Sequence, residues 1–251
     1  MTNDNNQDSK LQSEFEGPHA YALPDTKIFP DQELTFVELC YGILFQPKET
    51  FSRIAQKPQV FYAFLIIIGV NVIQSLVDVI IGIPSSLAQI EQMPGAIPGQ
   101  MQSFLKVVSQ PSFATLLGAL GLALGIFWWF MLSAIFQLLA ELFGGKGKGL
   151  GVLSVTGASI LPQVLLIPIQ VIIYALNWPQ LIATILTIII GVYTYIVLPI
   201  IGISRVHMFG TGRSIATVLT PYGVVFFGSL FFLGAIVAMF SIMLPVLEGA
   251  F

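Results

Sequence analysis

Hydrophobic residues are concentrated in five long stretches after residue 58, which are separated by shorter segments rich in Gly, Pro and polar residues. Each stretch reaches the roughly 20 residues that an α-helix needs to cross a hydrocarbon core of about 30 Å. The pattern therefore predicts an all-α fold, a polytopic transmembrane helical bundle of about five spans. The spans are predicted at residues 60–83, 113–143, 150–176, 181–203 and 215–247.

Residues 35–57 contain apolar side chains at helical spacing but are too short and too charged to cross a membrane. Thr35 is placed to cap a first helix, and Pro47 suits the first turn of a second one, with Phe51 and Ile54 on one side. We expect two amphipathic interfacial helices that lie at the inner membrane surface. The alternative, a cap folded onto the helix bundle, fits the same pattern.

Composition separates a polar beginning from an apolar remainder. Of the 13 acidic and 10 basic residues, nine and five precede Pro58, so only nine charges remain for the rest of the chain. Nine charges cannot coat a water-facing surface, and lipid must surround most of residues 58–251, the predicted five-span domain. Residues 1–34 are acidic and polar, which predicts a disordered cytoplasmic tail.

Basic residues alternate between the two sides of the predicted spans. Nine basic residues precede span one, lie between spans two and three, or lie between spans four and five. Lys106 alone falls on the opposite side. Because cytoplasmic loops carry the excess of Lys and Arg, this distribution places the N-terminus inside and the C-terminus outside. Four or six spans would break the alternation.

Polar side chains inside the first span form one helical face, with Asn71, Gln74 and Asp78 as its members. Such a face turns away from lipid, either to hydrogen-bond neighbouring helices or to line a polar path. Pro162 and Pro168 interrupt span three and are a candidate hinge, since proline breaks the helical hydrogen-bond ladder. Broken helices line sites in transporters, but prolines also occur in ordinary spans.

The inner end of span two carries a second group of charges. Glu141 lies close in sequence to Lys146 and Lys148, which predicts a solvated interfacial cluster rather than a carboxylate pair with Asp78 for proton or ion handling. The segment GGKGKG at 144–149 reads as a flexible basic loop. Gly121 and Gly125 form a GxxxG motif and are candidate helix-packing positions.

No grouping of residues indicates catalysis, a cofactor or a metal. Cys40 is the single cysteine, His19 and His207 have no nearby metal-ligating partners, and no Ser–His–Asp grouping can be argued. A net charge of −3 gives no basic face for nucleic acid. Trp128 and Trp129 fall in the middle of span two, where bulky packing is the expected role.

Three segments carry a resemblance to a known family: FQPKETFSRIAQKP before span one, GGKGKGLGVLSVTGASILPQVLLIPI in span three, and LPIIGISRVHMFGTGRSIATVL between the last spans. Together they resemble the bacterial branch of the Yip1-domain family. The resemblance implies five spans and a cytoplasmic N-terminus in the bacterial cytoplasmic membrane. Eukaryotic relatives are linked to Rab-type GTPases, but this chain lacks their DLYGP signature, so that role is not carried over.

These observations favour a non-enzymatic scaffold or membrane-organising factor. Its expected partners are membrane lipids and other membrane proteins or a second copy of itself, with no nucleic acid. The alternative is a small-molecule or ion permeation unit that uses the polar face of span one and the proline-broken span three.

Overall fold

Helices account for every regular element that the computed structural model describes, over residues 34–77, 80, 107, 110–176 and 178–248. Two short helices come first, α1 (Phe36–Phe45) and α2 (Pro47–Gln56). Span one is α3 (Val60–Val77) and span two is α4 (Pro111–Leu142). Span three consists of α5 (Gly149–Ala158), a 3₁₀ segment (Leu161–Leu165) and α6 (Leu166–Ala175). Span four consists of α7 (Gln180–Val192), a π segment (Tyr193–Val197) and α8 (Leu198–His207), and span five is α9 (Thr211–Glu248).

The predicted all-helical, five-span architecture is confirmed. Five helical stretches among the described residues are long and apolar enough to cross a membrane: Val60–Val77, Thr115–Leu142, Gly149–Ala175, Leu181–His207 and Thr211–Ser241. Their mean hydropathies of 1.9 to 2.4 reflect side chains whose transfer out of water lowers the free energy.

The helices at the boundary between spans four and five extend several residues beyond the apolar stretches predicted at 181–203 and 215–247. Helix α8 continues past residue 203 to His207, and α9 already begins at Thr211, so the expected ten-residue loop shrinks to residues 208–210. Met208 ends α8 in the left-handed conformation, with φ of 50°. The helix extends beyond the hydrophobic stretch because Val206 and His207 are buried against protein instead of facing lipid or water.

Span three lies at the centre of the bundle. Helix α5 packs along α3 and also touches α4, α8 and α2. Small side chains permit these close approaches: a Cβ at Gly157 would lie 2.9 Å from Ala63 Cβ, and one at Gly202 would overlap Val155 Cγ1. Because of this central position, 61% of its apolar window is buried inside the protein, against at most 22% for the other spans.

The two short helices, which the sequence predicts at the inner membrane surface and which we call the inner-surface module (residues 34–57), pack against the bundle. Phe51 and Ile54 of α2 are fully buried, and α2 runs along α8 and touches α5. This arrangement corresponds to the alternative of a cap folded onto the helix bundle. Leu34, expected as the last residue of the tail, is buried in the same core; the preceding residues lie outside the described ranges.

Local geometry fixes how the module begins and turns. Thr35 and Glu38 form a capping box, in which the backbone N–H of Thr35 donates to Glu38 Oε2 at 2.9 Å and the Glu38 N–H donates to Thr35 Oγ1 at 3.3 Å. Pro47 occupies the first position of α2, as predicted. Gly42 lies against Thr50, whose hydroxyl would overlap a Cβ at position 42, so only glycine permits this crossing of α1 and α2.

Span five leaves the bundle part of the way along its length. Its first turns pack on α4 and α8, with Val218 fully buried. From Val224 to Ser241 the described side chains are exposed on all faces of the helix, apart from the half-buried Ile236. This half of α9 therefore offers a long apolar surface to lipid or to another helix.

Candidate functional site

A cleft of about 120 Å³ lies where the five spans meet, and we call it the intramembrane cleft. Each span contributes to its wall, as illustrated by Asn71 from span one, Trp129 from span two, Gln163 from span three, Thr194 from span four and Tyr222 from span five. Aromatic and aliphatic carbons form most of the surface. An apolar wall with a few polar groups is the composition of many small-molecule sites, which are usually larger, about 300–1,000 Å³.

Two irregular helical segments meet at the cleft. The 3₁₀ segment Leu161–Leu165 in span three touches the π segment Tyr193–Val197 in span four. Pro162 lies in the 3₁₀ segment, where its missing N–H ends the α-helical ladder. Gln163 Nε2 donates to the Tyr195 hydroxyl at 2.6 Å and so joins the two segments. π segments are rare and often occur at functional sites.

Only one of the two prolines of the candidate hinge lies at the interruption of span three. Pro162 is buried at the break itself. Pro168 is the third residue of α6, a position in the first turn that tolerates proline because the N–H there has no helical acceptor. The structure places the interruption of span three between Ser159 and Leu165.

Trp129 binds span two to span three. Its Nε1–H lies 3.1 Å from both the Leu153 carbonyl oxygen and Thr156 Oγ1, and Ser133 Oγ is 2.6 Å from the same threonine oxygen. The ring is buried, in agreement with a packing role. Trp128 differs, since it is 55% exposed and lines the cleft, a role that the sequence did not indicate.

The polar face predicted for span one is only partly within the described residues. Asn71 lines the cleft, and its Nδ2 donates to the Ile67 carbonyl at 2.8 Å. Gln74 Nε2 donates to Gln170 Oε1 of α6 at 3.4 Å, a hydrogen bond between spans one and three. Asp78 lies outside the described residues.

The two glycines of the GxxxG motif face different surroundings. A Cβ at Gly125 would lie 3.4 Å from Asn71 Oδ1, so this residue packs against span one of the same chain. A Cβ at Gly121 would have no neighbour within 4 Å. Gly125 therefore serves packing inside the protein, whereas Gly121 faces open space.

A second polar group lies where span two ends, span three begins and span four ends. Gln137 Nε2 donates to Glu141 Oε1 at 2.6 Å and to the Gly147 carbonyl at 3.1 Å. Among the described residues, no ion pair joins Glu141 to Lys146 or Lys148, which are both exposed. The Glu141 carboxylate therefore accepts its hydrogen bond from Gln137, and the two lysine side chains are exposed on the loop.

The glycine-rich loop is held in place by His207, which the sequence reasoning did not connect to it. The Gly147 N–H donates to His207 Nδ1 at 3.0 Å. A Cβ at Gly145 would overlap the His207 ring, and one at Gly147 would overlap the Val206 carbonyl. The expected flexible loop is therefore a close-fitting one, and its glycines are explained by contact with α8.

Two ionisable groups of the inner-surface module are shifted by their surroundings. The backbone N–H of Thr35, and then its hydroxyl, donate to Glu38 and lower the pKa of that carboxyl. Burial raises the pKa of the Cys40 thiol. Among the described residues, no group of three or more His, Cys, Asp or Glu side chains could hold a metal ion.

Comparison with known proteins identifies the family. Neither the curated proteins nor the solved structures contain a match to this chain. The model of the Yip1 domain family matches residues 41–246, which include α2, spans one to four, span five as far as residue 246, and the residues of the cleft. The chain therefore belongs to the Yip1 domain family and is a multi-pass integral membrane protein.

Proposed function

We propose that this protein is a non-enzymatic membrane scaffold that binds other membrane proteins and lipid through its inner-surface module. The proposal places the module on the cytoplasmic side of a bacterial cytoplasmic membrane, with the C-terminus outside. The nine-to-one distribution of basic residues supports this orientation. The observation that carries the proposal is the exposed apolar face of α1.

This face is built on a firmly attached element. Phe51 and Ile54 anchor α2 in the core, and the buried Leu39 and Ile43 hold the inner side of α1. Burying side chains of this size stabilises the attachment by about 1.5–3 kcal/mol each. A surface on α1 is therefore presented in one orientation, which lowers the entropic cost of binding a partner.

The outer side of α1 carries Val37, Tyr41 and Phe45, which are 75%, 58% and 68% exposed and which we call the α1 stripe. Their spacing of four residues places them on one helical face. Helix α1 also contacts the 3₁₀ segment of span three, so the stripe lies beside membrane-spanning helices. The partner that fits such a surface is an apolar helix of another membrane protein in the inner leaflet.

A photo-crosslinking amino acid in place of Tyr41 tests this proposal. We expect irradiation of membranes to give discrete adducts with protein, and we expect Phe45→Ser to remove them. The same photo-crosslinker at Ile185, another exposed apolar position on α7, is the matched control and should react with lipid alone. Lipid adducts alone at both positions would contradict the scaffold proposal.

The alternative of a permeation unit has its own supporting observation. Two interrupted helices, the 3₁₀ break of span three and the π segment of span four, meet at the intramembrane cleft, and interrupted helices line substrate sites in transporters. Gln74→Ala and Asp78→Asn should then change solute or ion flux in reconstituted vesicles. Unchanged flux in both variants would dismiss this alternative.

A further inference from the structure

We propose that the intramembrane cleft is a binding site for one neutral molecule of up to about eight non-hydrogen atoms, which carries a hydroxyl or carbonyl group on an apolar body. The proposal concerns binding and does not depend on the scaffold role of the inner-surface module. It rests on the size of the cleft, on one unpaired polar group inside it, and on its position in the membrane.

The volume of the cleft sets the size of the ligand. Its roughly 120 Å³ is close to that of engineered apolar cavities of about 150 Å³, which accept benzene. Trp129, Leu132 and Phe136 of span two provide the apolar wall. A six-membered ring with two small substituents, about eight non-hydrogen atoms in all, is the largest molecule that we place in this space.

Thr194 supplies the unpaired polar group. It is 1% exposed, it lines the cleft, and its Oγ1 has no hydrogen-bond partner. Other threonines of this chain donate to the carbonyl four residues earlier, as Thr156 does to Val152 at 2.9 Å and Thr217 does to Arg213 at 2.9 Å. Thr194 lies in the π segment and lacks this bond, so its hydroxyl keeps an unused hydrogen-bonding capacity beside the cleft.

Further hydrogen-bonding capacity surrounds Thr194. The Tyr195 hydroxyl already accepts from Gln163 and retains its own hydrogen for donation. Asn71 uses Nδ2 to bind Ile67, which leaves its carbonyl oxygen as an acceptor. No charged side chain is among the described residues that line the cleft, so an ionised ligand would find no counter-charge there. The bound molecule is therefore neutral.

The position of the cleft fixes the route of entry. Thr156 lies seven residues after the start of span three, about 10 Å from the inner end of that span. Thr194 lies thirteen residues before the end of span four, about 20 Å from the inner end of that span. The site thus lies within the hydrocarbon region. Trp128 and Tyr195 are both exposed and line the cleft, so the ligand enters from the bilayer, where neutral molecules with apolar bodies accumulate.

Quenching of tryptophan fluorescence by bromocyclohexanol tests the proposal, with bromocyclohexane as the compound that lacks the hydroxyl. A Trp178→Phe background leaves Trp128 and Trp129 as the emitters, and both line the cleft. In full-length protein in lipid nanodiscs we expect saturable quenching by bromocyclohexanol, with an apparent affinity about fivefold above that of bromocyclohexane, the effect of about one hydrogen bond.

Thr194→Val should reduce the affinity for bromocyclohexanol to that for bromocyclohexane. The matched control is Thr217→Val, because Thr217 is equally buried but outside the cleft and already bonded to Arg213. Tyr195→Phe, at an exposed position, gives a second variant if Thr194→Val does not fold. Quenching that rises linearly with both compounds, or saturates equally for both, would overturn the proposal.

Discussion

Replacing Phe51 by alanine tests whether α2 is held by the core of the protein. Phe51 is fully buried between α2 and the helices beneath it. Removing a buried phenylalanine side chain costs about 3–5 kcal/mol, since both the transfer free energy and the packing contacts are lost. Each 1.4 kcal/mol is a factor of ten, so detachment of the module should become roughly two to four orders of magnitude more frequent.

Cys40 reports this detachment because it is the single cysteine and lies half-buried in the module. Burial raises the pKa of its thiol, so little of the reactive thiolate is present while the module is attached. We expect Phe51→Ala to accelerate the reaction of Cys40 with a maleimide by at least about tenfold. The half-buried thiol also reacts slowly while the module is attached. The measured acceleration of labelling is therefore smaller than the full increase in the frequency of detachment.

Phe45→Ala is the matched control, since it removes the same atoms from an exposed position on α1. Its labelling rate should stay within about twofold of the original, because surface substitutions usually change stability by no more than about 0.5 kcal/mol. Equal rates in the Phe51→Ala and Phe45→Ala proteins would refute the reasoning, because they would show that burial of Phe51 does not hold the module.

Two further outcomes concern helix packing and pH. Gly202→Ala should lower the free energy of unfolding in detergent by about 1–3 kcal/mol because the new methyl group overlaps Val155, whereas Gly191→Ala, with no neighbour within 4 Å, should not destabilise the protein. Glu38→Ala should speed amide exchange in α1 at neutral pH. Because hydrogen bonds from Thr35 lower the pKa of Glu38 in the folded protein, its contribution is present above the unfolded pKa and is lost as pH falls through the folded pKa. Below the folded pKa, the rates of amide exchange in Glu38→Ala and in the original protein should become equal. A difference in exchange that persists at low pH would contradict the capping role.

The number of spans could be predicted because it depends on a single physical quantity, the length of apolar sequence needed to cross hydrocarbon. The caps at Thr35 and Pro47 could be predicted for a similar reason, since each depends on the chemistry of one residue. The end of span four could not, because His207 is buried by a loop that is distant in sequence.

The cleft was only partly accessible to sequence reasoning. The sequence indicates Asn71, which lines the cleft, as a polar residue inside a span, and Pro162, which lies in the 3₁₀ segment beside the cleft, as a helix breaker. Thr194 and Tyr195 gave no signal, since a π segment does not alter the hydrophobic pattern of a span that is apolar on all sides. Which polar side chains converge is decided by the packing of five helices, and this information is spread over the whole chain.

Labelling of single cysteines from each side of the membrane tests the central claim, that the loops alternate between the two sides of the membrane with the module inside. In a Cys40→Ser background, cysteine is placed at Gln59, Lys146, Gly210 or Trp178, each in a segment that connects helices. The account predicts that the first three react with an impermeant maleimide in inside-out vesicles and that Trp178→Cys reacts in intact cells. Reaction of Trp178→Cys on the same side as Lys146→Cys would contradict it.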